Sequence, residues 1–134
     1  MILVDTGPLV ATIDAHDTYH DVCADLVAHL QPPMITTWPV ITEAMHFLGL
    51  SFELRDTLWE AVERGTVQIA DLDSDDRSRM RYLMRKYRDL PMDVADASLV
   101  ALAERERINR IFTIDRRDFS IYKPAGMRRF EIIP

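Results

Sequence analysis

Ile2-Leu3-Val4-Asp5-Thr6-Gly7-Pro8 is the stretch on which the reading of the whole chain turns. Consecutive apolar residues without alternation mark a strand buried on both faces of a parallel sheet, and here the run breaks at an acid followed by Thr-Gly-Pro, as such a strand does on entering a loop. Asp5 therefore sits at the strand's carboxyl end, the edge on which open parallel sheets place their clefts. Beyond it, Pro8 suits a first helical turn, and Leu9 to Ile13 predict a short helix. Val22, Leu26, Val27 and Leu30 repeat at helical spacing until Pro32-Pro33 stops them. Met34 to Trp38 predicts a second strand, and Pro39 opens a helix carrying Val40, Ile41, Ala44, Met45 and Leu48 that ends at Gly49.

The alternation continues to the end of the chain. A helix over about Glu53 to Arg64, stopped by Gly65, leads to a strand at Val67 to Ala70. Asp73-Ser74-Asp75-Asp76 places acid where a helix N-terminus prefers it, and Arg77 to Arg88 reads as a basic helix with Met80, Leu83, Met84 and Tyr87 on one face. Pro91 ends it. Asp93 begins a small-residue helix, Val94 to Arg107. Arg110 to Ile114 predicts a buried strand ending at Asp115, and Phe130 to Ile133 a last one. With no internal repeat and no long linker, the expectation is one α/β domain over residues 1–134, a parallel sheet with helices on both faces.

The 134 residues, 48% hydrophobic and 28% charged, suffice for one core burying about two-thirds of the unfolded chain's surface. No apolar run approaches the roughly 20 residues that span a bilayer, which argues against a membrane partner. The first residues read as a strand and not as a secretory leader, and the lone Cys23 cannot form an internal disulfide, so a cytoplasmic location is expected. The net charge of -6 is unevenly distributed: residues 1–76 hold 14 of the 22 acids but only Arg55 and Arg64 of the 16 basic residues. Residues 77–134 carry the basic surplus, which permits a phosphate-tracking surface on an acidic protein. A solvated helix face with ordinary ion pairs would explain the same surplus.

Four acids converge on the strand-end edge. Asp5 and Asp115 end apolar strands, Glu43 enters from the helix after the second strand, and Asp96 lies in the first turn of the helix begun by Asp93. Carboxylates brought together repel, raising their pKa values unless a cation neutralises them. An oxygen-only set selects a hard divalent ion, Mg²⁺ or Mn²⁺, and that chemistry suits phosphate esters, with one ion or two. Local roles compete with this reading: Asp93 as a helix cap with Asp96 as its reciprocal partner, Asp118 as a helix-start residue, Glu43 as a helix flank. His16 and His20 stand four apart but in a poor frame for zinc. Cys23 reads as core, and Trp59, Tyr82 and Tyr87 as packing residues more than base-stacking ones. Thr6 and Thr113 can bond either the carboxylates or nearby backbone.

The start Ile2-Leu3-Val4-Asp5-Thr6, the pair Thr42-Glu43, the segment Asp93-Val94-Ala95-Asp96-Ala97-Ser98-Leu99-Val100-Ala101-Leu102-Ala103-Glu104 and the segment Thr113-Ile114-Asp115-Arg116-Arg117-Asp118-Phe119 together resemble the PIN-domain proteins of the VapC toxin type. The resemblance extends over nearly the whole chain. It implies a three-layer α/β/α sandwich around a parallel sheet, and a Mg²⁺- or Mn²⁺-dependent endoribonuclease that cuts single-stranded or structured RNA. It also implies a homodimer neutralised by a VapB-type antitoxin. Asp5, Glu43, Asp96 and Asp115 match the family's acidic quartet, while Asp93 and Asp118 match accessory positions. Arg85, Lys86 and Arg88 on the basic helix are the expected RNA contacts. PIN domains also serve in RNA processing without an antitoxin. Two further rivals are a phosphotransfer or receiver domain, which would want a Lys at another strand end, and a non-catalytic module whose acids bind only a metal or regulatory partner.

Overall fold

The computed structural model describes residues 1–31 and 33–134. The expected stop at Pro32 falls outside the described residues. The elements follow in the order β1 (Ile2–Val4), α1 (Thr6–Ile13), α2 (His20–His29), β2 (Met34–Thr37), α3 (Trp38–Phe47) and α4 (Phe52–Glu63). β3 (Val67–Ala70), α5 (Ser74–Lys86), α6 (Val94–Glu106), β4 (Arg110–Phe112), α7 (Arg116–Ile121) and β5 (Glu131–Ile133) complete the chain. The five strands form one sheet in the order β3-β2-β1-β4-β5, every pair parallel. This is the expected α/β/α arrangement. β1 is its centre, pairing Leu3 with Ile35 on one side and with Ile111 on the other. Ile2, Leu3 and Val4 are fully buried, as an unalternating apolar strand covered on both faces must be.

α1 packs with α2, α3 and α4, whereas α6 packs with α5, with α3 and over β2. α6 is buried nearly all round, from Ala95 through Ala97 to Ala103. Its small residues let it lie close to the sheet. α6 closes at Arg107, a non-glycine residue in the left-handed region (φ 59°), whose guanidinium donates to the Gly126 carbonyl at 2.9 Å. Gly7 is needed for a different reason: a Cβ there would stand 3.3 Å from Ile114 Cδ1, so the glycine lets α1 start hard against the segment leaving β4.

Several boundaries differ from the expected ones, each for a local reason. No loop separates β1 from α1: Asp5 caps the helix directly, and Pro8 sits in a first turn that lacks a use for its N–H. Asp115 likewise caps α7, a six-residue helix too short to show periodicity in sequence. α5 starts earlier than expected, at Ser74, because Asp73 and Asp76 form a full capping box. At Asp93 only half of the expected box exists: its side chain accepts from the Asp96 N–H at 2.9 Å, but the Asp96 carboxylate is engaged elsewhere. Leu83 on α5 and Tyr87 just past its end are buried as expected, while Tyr82 is 53% and Trp59 46% exposed, so neither belongs to the core. Cys23 is buried, and His20 Nδ1 lies 2.7 Å from the Ala11 carbonyl, tying this imidazole to α1.

Candidate active site

The parallel topology places the carboxyl ends of β1, β2 and β4 side by side, and Asp5, Glu43, Asp96 and Asp115 all line one cleft there, of about 650 Å³. Asp5 is the most deeply set, 8% exposed. Both of its oxygens are held: Oδ1 accepts from the Thr6 N–H and Oδ2 from the Thr113 hydroxyl, each at 2.8 Å. Thr113 Oγ1 in turn accepts from the Asp115 N–H at 3.0 Å, so one buried hydroxyl joins the ends of β1 and β4. Asp96 reaches the cleft from the first turn of α6, and its Oδ2 accepts from the Tyr122 hydroxyl at 3.0 Å. Tyr122 is fully buried between Tyr87 and Phe119, whose rings lie 5.1 and 5.3 Å away. Glu43 projects from α3, which begins immediately after β2.

The electrostatics are those of crowded, partly desolvated acids. Burial pushes Asp5 up to about 6, against the hydrogen bonds from Thr113 and Thr6, and the charges of Glu43 and Asp115 add to the rise. Burial raises Asp96 to about 8, with Asp93, Asp5 and Asp115 adding repulsion. Glu43 is raised by burial and by Asp93, while the nearby Thr6 and His46 oppose this. Asp118 is raised by burial and by Asp115. Burial and the Asp96 carboxylate hold the Tyr122 phenol protonated, fixing it as a donor. Among the described residues no Lys or Arg lines this cleft.

Such a donor set fits a hard divalent cation. All its side-chain donors are oxygens, the acids repel one another, and the Thr6 hydroxyl is buried in the same cleft without a hydrogen bond of normal geometry. The carboxylates stand apart around the cleft: among the described residues no three His, Cys, Asp or Glu side chains are gathered tightly enough to enclose an ion as they lie.

Asp93 and Asp118 line the same cleft while serving locally, Asp93 as the α6 cap and Asp118 by donating its N–H to Asp115 Oδ1 at 3.2 Å. A capping role and a place at the cleft are therefore compatible, because a helix that starts at a strand end has its cap at the cleft edge. Sequence reasoning missed Asp14, Asp17, Phe47 and Tyr122. Asp14 and Asp17 face the cleft while accepting from the His16 and Tyr19 N–H groups, as turn acids anywhere would. Tyr122 has no sequence signal that sets it apart, since what marks it is the partner of its hydroxyl, Asp96. Arg85, Lys86 and Arg88 are exposed at the end of α5 and beyond it, outside the cleft lining.

The PIN domain family pattern matches residues 2–123. Ribonuclease VapC26 of Mycobacterium tuberculosis is 28% identical over an alignment of 137 residues that covers 99% of this chain and 100% of the relative. Two solved structures share the fold at 18% identity. VapC20 of M. tuberculosis, described as a sarcin-ricin loop cleaving toxin, superposes with a TM-score of 0.77 over 83% of this chain and 87% of its own. A toxin–antitoxin complex from Klebsiella pneumoniae reaches 0.70 over 100% of this chain and 97% of its own. The central strand with its terminal acid, the sheet order and the match from residue 2 to 123 lead to one family: the chain belongs to the PIN domain proteins, and within them it is similar to the VapC-type toxins.

Proposed function

We propose that this chain, acting as a single PIN-like domain over residues 1–134, is a Mg²⁺- or Mn²⁺-dependent endoribonuclease and the toxin of a VapBC-type pair. It would work as a homodimer restrained by a VapB-type antitoxin, in the cytoplasm. The observation that carries this reading is the gathering of Asp5, Glu43, Asp96 and Asp115 in one cleft that the described chain leaves without a cation of its own. The full-length likeness to Ribonuclease VapC26 supports the RNA substrate. No helix among the described residues is long and apolar enough to cross a membrane.

Asp5, Glu43, Asp96 and Asp115 would hold the divalent ion, which when bound polarises a phosphoryl oxygen and lowers the pKa of water at neutral pH. The chain's own residues prepare this site. Thr113 bonds both the side chain of Asp5 and the backbone of Asp115, so one hydroxyl ties the two acids together. Tyr122 aims Asp96 into the cleft and screens its inner oxygen. With no cation present, burial and the neighbouring carboxylates favour the protonated form of Asp96, and a positive charge bound beside it would release that proton to water. Arg85, Lys86 and Arg88 are assigned the RNA backbone, a role their exposure allows.

The test is cleavage of a mixed RNA pool under matched Mg²⁺ or Mn²⁺, with chelator as control and circular dichroism reporting the fold. Asp5→Asn, Glu43→Gln, Asp96→Asn and Asp115→Asn should each remove most cleavage from a folded protein. Two of the four retaining full activity would end the assignment.

A further inference from the structure

Helix α3 is a wall between two hollows. Glu43 and Phe47, four residues apart, face the carboxylate cleft, while Trp38, Thr42 and His46, also spaced by four, line a second hollow of about 730 Å³. The far side of that hollow is the start of α6, at Asp93, Val94 and Ala95, so the two hollows meet along Glu43 and Asp93. We propose that the second hollow is a base-binding subsite, in which the unpaired base of a nucleotide flanking the scissile phosphate stacks on Trp38. This deepens the ribonuclease reading and rests on it.

Trp38 is 46% exposed, an unusual position for the first residue of a helix whose other face is core. Its indole is held and not loose: the ring of Trp59 lies 6.2 Å away at 57°, and Pro39 fixes the backbone that follows. A flat apolar surface already in place loses little conformational freedom when another ring covers it. The remaining walls supply what a nucleobase needs at its edge. His46 is exposed and offers a ring nitrogen of either character. The Thr42 hydroxyl donates to the Trp38 carbonyl at 3.0 Å and keeps its oxygen free to accept. Pro39, Val94 and Ala95 are apolar. No Lys or Arg lines this hollow among the described residues, so the part of a nucleotide that enters is its neutral base, while the phosphodiester stays over the carboxylate cleft, where the divalent ion would meet it. Recognition of splayed-out bases by aromatic platforms with polar edge contacts is the usual way that unpaired RNA is read.

The chain has two tryptophans, so Trp59→Phe leaves Trp38 as the single indole reporter. Adding Asp96→Asn to that protein, to prevent cleavage, allows titration with a short RNA oligonucleotide and with versions carrying an abasic ribose at each position in turn. Base-bearing RNA should quench Trp38, and one abasic position should abolish the quenching. In otherwise native protein, Trp38→Ala should raise KM for RNA about tenfold or more with kcat within about twofold, and Trp38→Phe should restore most of the loss. An unchanged KM in Trp38→Ala, or quenching that survives every abasic substitution, overturns the subsite. So does Trp38 emission that follows protein dilution and not RNA, since a second copy of the chain would then cover the hollow. Should native protein cut no RNA, the ribonuclease reading fails first, and base-dependent quenching alone then decides whether the hollow takes a base.

Discussion

The chain withdraws carboxylates from water in two places and compensates for it in opposite ways. Along the seam between α5 and α6, each acid has an arginine. Asp76, 5% exposed, pairs with Arg105, and Glu104 takes a two-pronged bond from Arg79 at 2.7 and 3.0 Å. Glu104 also accepts the Ala125 N–H, which ties the segment after α7 to the seam. In the strand-end cleft, hydroxyls and amides hold the acids in place but no cationic side chain lines it, and Asp5 and Asp96 are pushed far above the ordinary carboxylate range. The seam is complete in itself, whereas the cleft holds repulsion that only something from outside can relieve. Removing a charge should therefore damage the seam and ease the cleft.

The comparison breaks most visibly in activity. Asp96→Asn should lower RNA cleavage by about a hundredfold or more while leaving the metal-free melting temperature unchanged or raised, as read by single-turnover cleavage and thermal melts. Neutralising Arg85, Lys86 and Arg88 together should weaken RNA binding about tenfold at low salt and flatten the slope of log K against log salt. None of the three enters an ion pair among the described residues, so their charge is free for phosphate. An unchanged slope would place the RNA elsewhere. Saturating Mn²⁺ should raise the melting point on the order of 10 °C over chelator, the effect of about 2.7 kcal/mol at a hundred times Kd. The same addition to Asp96→Asn should give much less, and equal shifts would mean that the cleft does not hold the ion.

Asp76→Ala sharpens the other side. It removes both the ion pair and half the capping box of α5, at a cost of about 2 kcal/mol in denaturant titrations, with cleavage per folded molecule within about twofold of the native protein. The cleft also has its own pH dependence. A carboxyl whose folded pKa lies above its unfolded value contributes stability that is complete below the unfolded value and is lost as pH rises through the folded one. With Asp5 at about 6 and Asp96 at about 8, metal-free protein should melt lower at pH 8.5 than at pH 5. Asp96→Asn should flatten most of that slope. A melting point that climbs over this interval would show that the cleft acids are not mutually destabilised.

The strand-end acids were legible because an unalternating apolar run has one physical meaning and its last residue one edge to occupy. Val67 to Ala70 emerges at its expected bounds just after the stop at Gly65. What periodicity could not convey was which side of a helix meets a neighbour. Tyr82 and Trp59 share the spacing of core residues yet point outward, and Trp38 and Phe47 border the two hollows without any pattern to mark them. The α5–α6 seam was equally hidden, since Arg105 finds Asp76 across 29 residues of chain and nothing local in either segment specifies the other. α7 shows in the sequence only as a helix start at Asp118, because its cap, Asp115, reads equally as a strand-end acid.

The bond from Thr113 to Asp5 joins residues 108 positions apart. Chains are made and begin to fold from the N-terminus, and contacts of such long separation form after local ones. Until Arg110 is made, the nascent chain thus carries Asp5 and Glu43, joined late by Asp96, without the strand that completes their edge. Whatever the cleft does is conferred by the final fifth of translation, and a product truncated before Arg110 lacks both Asp115 and the hydroxyl that sets Asp5.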